Sequence, residues 1–107
     1  MIVIKILLNE QNFSMSVIGH AEYNPGNDVV CSACSIITQT FCRYVSDMGF
    51  TDAISEEEGT TKIEGKTNND IKRILDFIIT GYQGLADTYP DNVRLEVVNE
   101  SIVYINI

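Results

Sequence analysis

Basic residues are scarce in this chain. Seven lysines and arginines stand against fifteen aspartates and glutamates, for a formal net charge of -8. A field of that sign repels polyphosphate, so direct binding of nucleic acid is not expected. A basic protein or peptide is the favoured class of partner. Long apolar runs are missing too. No stretch reaches the roughly 18–20 residues that a membrane span needs. The segment Met1-Ile2-Val3-Ile4-Lys5-Ile6-Leu7-Leu8 lacks the basic lead, apolar length and cleavage site of a signal peptide. The expected setting is the cytoplasm, with no membrane partner. Cysteines number three, an odd count that argues against a stapled secreted scaffold and for reduced thiols. Linkers, internal repeats and low-complexity segments are absent as well, so the 107 residues read as one domain, 1–107. There is one histidine. If the chain performs general acid–base chemistry near neutral pH, His20 is the leading candidate for the base.

What is present suffices for a modest core, since 45% of the residues are hydrophobic. Residues 2–8 are rich in Ile, Val and Leu and read as a strand buried on both faces. After a polar turn at 9–12, residues 13–19 begin with Phe13, Met15 and Val17 on one face, the pattern of a second strand in an antiparallel hairpin. Residues 20–27 hold Asn24 and Pro25-Gly26 and read as a loop. Asp28 is a good N-cap, and a helix over about 29–48 follows. Its apolar face is Ala33, Cys34, Ile37, Phe41, Tyr44, Val45 and Met48, and Gly49 stops it. Two short strands, 52–58 and 60–65, meet near Gly59. Thr67-Asn68-Asn69-Asp70 has capping-box spacing. It opens a second helix over about 69–87, with Ile71, Leu75, Ile78, Tyr82 and Leu85 inward. Gly81 and Gly84 in that helix suggest close packing against the sheet or another subunit. Residues 93–98 form a fifth strand, and 101–107 a sixth or a bulged continuation. The expected fold is α+β, with two helices packed on one face of a largely antiparallel sheet of five to six strands.

The chemistry concentrates at Gly19-His20-Ala21 and at Asp28-Val29-Val30-Cys31-Ser32-Ala33-Cys34-Ser35. With Asp28 as cap, Cys31 is the third helical residue. N–H groups there have no intrahelical acceptor, and the helix dipole favours negative charge, so a thiolate is stabilised. A loop of 21–27 can bring His20 back to the helix start. Thiolate beside imidazole is the minimal equipment for attack on an amide carbonyl. Cys31, Ser35, Thr38 and Cys42 share a stripe, and Ser35 lies one turn after Cys31. Asp28 either caps the helix or orients His20, with capping the first assignment. Helix-start N–H groups are candidates for stabilising an oxyanion.

Competing readings use the same residues. Cys31-Ser32-Ala33-Cys34 has the spacing of a dithiol redox centre, but its flanks lack a thioredoxin-like context. A zinc site of His20, Cys31, Cys34 and Cys42 fails on reach, because Cys42 lies about 12 Å beyond Cys34 along the helix axis. Neither a metal nor another cofactor is therefore expected. Glu56-Glu57-Glu58 reads first as a solvated hairpin tip and second as an attractor of basic partners.

These motifs resemble the ribosomal-processing cysteine protease family. Its hallmark is Gly-His-Ala, a Gly-containing loop, Asp-hydrophobic-Val-Cys, and Ser four residues after the Cys. Here this reads Gly19-His20-Ala21, Gly26, Asp28-Val29-Val30-Cys31 and Ser35, with a similar late segment Gly84-Leu85-Ala86-Asp87-Thr88-Tyr89-Pro90. The resemblance implies a homodimeric cysteine endopeptidase that removes the N-terminal extension of a large-subunit ribosomal protein with a Cys–His dyad. By position, Cys31 would be the nucleophile and His20 the base, with Asp28, Ser35 and Gly19 supporting. The alternative is a non-catalytic binding module for a basic ribosomal segment. Two features depart from the family. Cys34 stands where a small or apolar residue is more usual and opens a disulfide with Cys31, and the tail 101–107 is longer than usual.

Overall fold

The computed structural model describes residues 1–100. The elements are β1 (Ile2–Leu8), β2 (Asn12–Gly19), α1 (Val29–Asp47), β3 (Thr51–Glu57), β4 (Thr60–Lys66), α2 (Asn69–Thr88) and β5 (Val93–Asn99). They form one five-stranded sheet in the order β3-β4-β2-β1-β5. Three of its pairings are antiparallel and one, β1 with β5, is parallel. This is an α+β fold with a mixed, largely antiparallel sheet. The sixth strand expected at 101–107 lies outside the described residues.

Both helices cover the same face of the sheet. Ile2, Ile4, Ile6 and Leu8 of β1 and Phe13 and Met15 of β2 join one core with Val30, Phe41 and Val45 of α1 and Ile71, Leu75 and Tyr82 of α2. Burial of each such side chain contributes about 1.5–3 kcal/mol. Phe13 and Phe41 meet edge to face, ring centroids 6.0 Å apart, which fixes α1 against β2. β1 is therefore buried on one face only, contrary to the expectation from its composition. Its other face carries Val3, Lys5 and Leu7 and, among the described residues, has no covering layer, so Leu7 is 52% exposed.

The buried stripe of α1 is also rotated from the expected one. Thr38 and Cys42 are buried, while Tyr44 and Met48 are 52% and 49% exposed. A polar residue can occupy this core position because its hydroxyl is fully used. Thr38 Oγ1 donates to the Cys34 carbonyl at 2.8 Å and shares a 2.6 Å hydrogen bond with the Tyr82 hydroxyl. In α2 the inward residues Ile71, Leu75, Ile78 and Tyr82 are buried as their spacing requires. The cap, however, is Asn68 rather than Thr67, with its side chain accepting the Ile71 N–H at 2.8 Å. Gly81 allows close approach of α1, since a Cβ there would lie 3.3 Å from Ile37 Cδ1. Gly84 faces open space.

Candidate active site

Three elements converge at one edge of the helical layer: the end of β2, the start of α1 and the β3–β4 turn. β2 ends on Gly19, whose φ is +102° and where any Cβ would collide with the Met1 carbonyl oxygen. Only glycine fits there. The Gly19 N–H donates to the Gly59 carbonyl at 2.8 Å, which fastens the strand end to the β3–β4 turn. His20 follows and is exposed.

Ala21 turns back into the core and is 1% exposed. Its N–H donates to Cys31 Sγ at 3.2 Å. Its carbonyl accepts from Asn92 Nδ2 at 2.9 Å, and the Asn92 carbonyl accepts the Ile2 N–H at 2.9 Å. The residue after the imidazole is thus clamped between α1 and the approach to β5. Nothing local in the sequence marks Asn92 for this task.

Asp28 organises the helix start. One carboxylate oxygen accepts the N–H groups of Val30 and Cys31, each at 3.0 Å. The other accepts those of Tyr23 and Asn24, at 2.9 and 3.1 Å. The same carboxylate therefore caps α1 and ties down the loop, and it makes no hydrogen bond to His20. Desolvation pushes its pKa up, but the N–H groups of Cys31, Asn24, Tyr23 and Val30 outweigh this and hold the pKa below the ordinary carboxylate value. The loop is further fixed by Tyr23, packed edge to face on Tyr89 with centroids 5.2 Å apart. The Ser32 N–H also has an acceptor, the Asp28 carbonyl at 3.1 Å. The N–H groups of 30, 31 and 32 are thus all engaged.

Cys31 is half-buried and sits where two depressions meet. One, of about 300 Å³, is lined by Gly19, Ser35, Glu57, Gly59 and Thr61 among others. The second, of about 520 Å³, is lined by Glu22, Pro25, Gly26, Asp28 and Ser32. His20 and Cys31 are the two residues that line both. Ser35 lines the first, one turn along from Cys31. The β3–β4 turn forms the opposite wall. Its local sequence reads first as a solvated tip, and its part in the groove comes from the fold.

The three thiols differ sharply. Cys34 is 2% exposed, and burial pushes its pKa up to about 11, with the Thr38 hydrogen bond opposing and Cys31 adding to the rise. Cys42 is likewise pushed up to about 11, by burial first and by the Glu56 charge second. Among the described residues no group of three or more His, Cys, Asp or Glu is placed to hold a metal ion. Among those same residues, no helix is long and apolar enough to cross a membrane. A half-buried thiol with an N–H donor at its sulfur, sharing an open cleft with an imidazole, is equipped for acyl transfer through a covalent intermediate.

Comparison with known proteins agrees with this chemistry. The profile of the family described as cysteine protease Prp matches residues 1–94. No curated protein matches the chain. Among solved structures, the essential ribosomal processing protease Prp from S. aureus, with a covalently linked product peptide, is similar with a TM-score of 0.74 at 22% identity. The match covers 92% of this chain and all of that one, 100%. The same S. aureus protease with a substrate peptide matches with a TM-score of 0.70 at 21% identity, covering 92% and 100%. SMU.848 from Streptococcus mutans matches with a TM-score of 0.74 at 20% identity, covering 94% and 99%. At these identities the likeness is one of fold.

Proposed function

The chain belongs to the cysteine protease Prp family, and from that premise we propose that it cleaves the N-terminal extension from a large-subunit ribosomal protein with a Cys31–His20 dyad. The observation that carries this reading is the shared position of the two side chains, which together border both depressions of the cleft. An extended peptide laid through the cleft passes the sulfur and the imidazole at its centre.

In the first step His20 takes the proton of the Cys31 thiol, and the thiolate attacks the scissile carbonyl carbon. The tetrahedral intermediate collapses as the C–N bond breaks. The imidazolium gives its proton to the leaving amine, and the N-terminal extension stays on sulfur as a thioester. Water then attacks the thioester carbonyl, with His20 taking a water proton. The acid leaves, and Cys31 regains its proton. Asp28 supports the site by fixing the helix start and loop, Gly19 by placing His20, and Ser35 by lining the groove. The Ala21 N–H, which donates to the sulfur at 3.2 Å, ties the nucleophile to the loop that carries the base. The enzyme acts as a cytoplasmic homodimer, and its acidic surface draws a basic ribosomal segment.

The test is cleavage of a peptide spanning the extension and mature start of that ribosomal protein. Cys31→Ala abolishes turnover and retains peptide binding. His20→Ala lowers kcat by about 10²–10⁴-fold. Full activity in either variant would reject the dyad.

A further inference from the structure

We propose that Gly59, in the turn between β3 and β4, is a positioning residue for His20. This rests on the reading of His20 as the general base. Gly59 belongs to a hairpin remote in sequence from both His20 and Cys31. The antiparallel pairing of β2 with β4 runs from Asn12 opposite Lys66 to Ile18 opposite Thr60, so one further step brings Gly59 beside the end of β2. There its carbonyl accepts the Gly19 N–H at 2.8 Å.

The imidazole borders the space that a side chain on Gly59 would occupy. A Cβ at this position would be 3.0 Å from His20 Nε2, 3.6 Å from Cε1 and 3.8 Å from Cδ2. Nε2 is therefore the ring atom pressed nearest the turn. A methyl group there forces the ring to move by a few tenths of an ångström or to rotate. His20 is an exposed residue and its ring can yield, so the displacement falls on the imidazole rather than on the sheet. Base catalysis depends on hydrogen-bond reach, and small misplacements are costly. The missing side chain of Gly59 thus leaves the space in which the base stands.

Gly59 also has φ of +71°, so a substitution strains the backbone as well as touching the ring. Two further variants separate these effects. Gly49 has φ of +75°, and a Cβ there would meet nothing within 4 Å, so Gly49→Ala carries the same strain without the contact. Gly59→Asn tolerates positive φ better than Ala but still places a Cβ against Nε2. The readouts are melting temperature, kcat and KM on the ribosomal peptide, and the rate of Cys31 alkylation by iodoacetamide at about pH 6. Gly59→Ala and Gly59→Asn should lower kcat about tenfold or more with a smaller change in KM. Both should slow Cys31 alkylation toward the rate of His20→Ala, while Gly49→Ala keeps wild-type kcat and alkylation. If Gly59→Ala fails to fold, Gly59→Asn carries the comparison. Wild-type kcat and alkylation in folded Gly59→Asn, with His20→Ala inactive, would overturn the positioning role alone. Full activity in His20→Ala would overturn the base assignment and this inference with it.

Discussion

The backbone N–H of Ala21 donates to Cys31 Sγ at 3.2 Å, so the residue next to the imidazole is tied directly to the sulfur. The link joins the end of β2 to the first turn of α1 through the main chain. Asn92 holds the other end of the same residue through the Ala21 carbonyl at 2.9 Å. The main chain between His20 and the first turn of α1 is therefore held at both ends of Ala21.

Cys31 should be the most reactive of the three thiols. Cys34 and Cys42 have pKa values of about 11 and are buried, so at neutral pH only about one in ten thousand of each is thiolate. Limited alkylation at about pH 6.5 with peptide mapping should find the label on Cys31 first. Preferential labelling of Cys34 or Cys42 would contradict the assignment of the nucleophile.

Asp28 should make stability fall in acid. Its pKa is depressed in the folded state, so its contribution is complete above the ordinary value of 3.8 and is lost as pH falls through the lower folded value. Asp28→Asn keeps an oxygen for Val30 and Cys31 but puts an N–H₂ group opposite the Tyr23 and Asn24 donors. Melting curves should show the variant less stable than wild type near neutral pH, with the gap closing in acid. A gap that stays constant would remove the carboxylate from the account.

What the sequence reveals divides by sequence distance. The cap at Asp28 and the placement of Cys31 are legible because capping is a contact over three residues, here 3.0 Å long. The inward face of α2 is legible because Ile71, Leu75, Ile78 and Tyr82 repeat at helical spacing. Thr38 is not, because what makes it a core residue is the Tyr82 hydroxyl on the other helix. The groove wall is illegible for a similar reason. Gly59 and Glu57 read locally as turn and charge, and only the β2–β4 pairing carries them to His20. The open face of β1 is hidden too, because an apolar run says nothing about how many layers the sheet will have.

Alkaline pH should destabilise the fold through its buried thiols. Cys34 and Cys42 rise from about 9 unfolded to about 11 folded, so each prefers the protonated native state. The sign follows: their contribution is complete below about pH 9 and is lost as pH climbs toward about 11. Tyr82, also raised by burial, adds a loss of the same sign at higher pH. Urea unfolding in reductant at increasing pH should show falling stability from about pH 9, and a Cys34→Ala/Cys42→Ala variant should show a shallower fall. Equal slopes for the two proteins would assign the effect to other groups.

The acidic β3–β4 hairpin should govern capture of substrate more than chemistry. Glu57 lines the groove beside His20, with Glu56 before it on β3 and Glu58 after it in the turn, both exposed, in a chain of net charge -8. On the proposed function, a basic ribosomal peptide would be drawn to that wall through solvent, where salt screens the attraction. Raising ionic strength from about 20 to about 300 mM shortens the Debye length from roughly 20 to roughly 6 Å. The value of kcat/KM for a basic peptide should then fall, while kcat changes little, because screening acts on encounter and the Cys31–His20 step is local. Changing Glu56, Glu57 and Glu58 together to Gln should lower kcat/KM at low salt and flatten its salt dependence, and a neutral peptide should show neither effect. An unchanged salt response in the triple variant would shift recognition from this hairpin to uncharged contacts along the cleft.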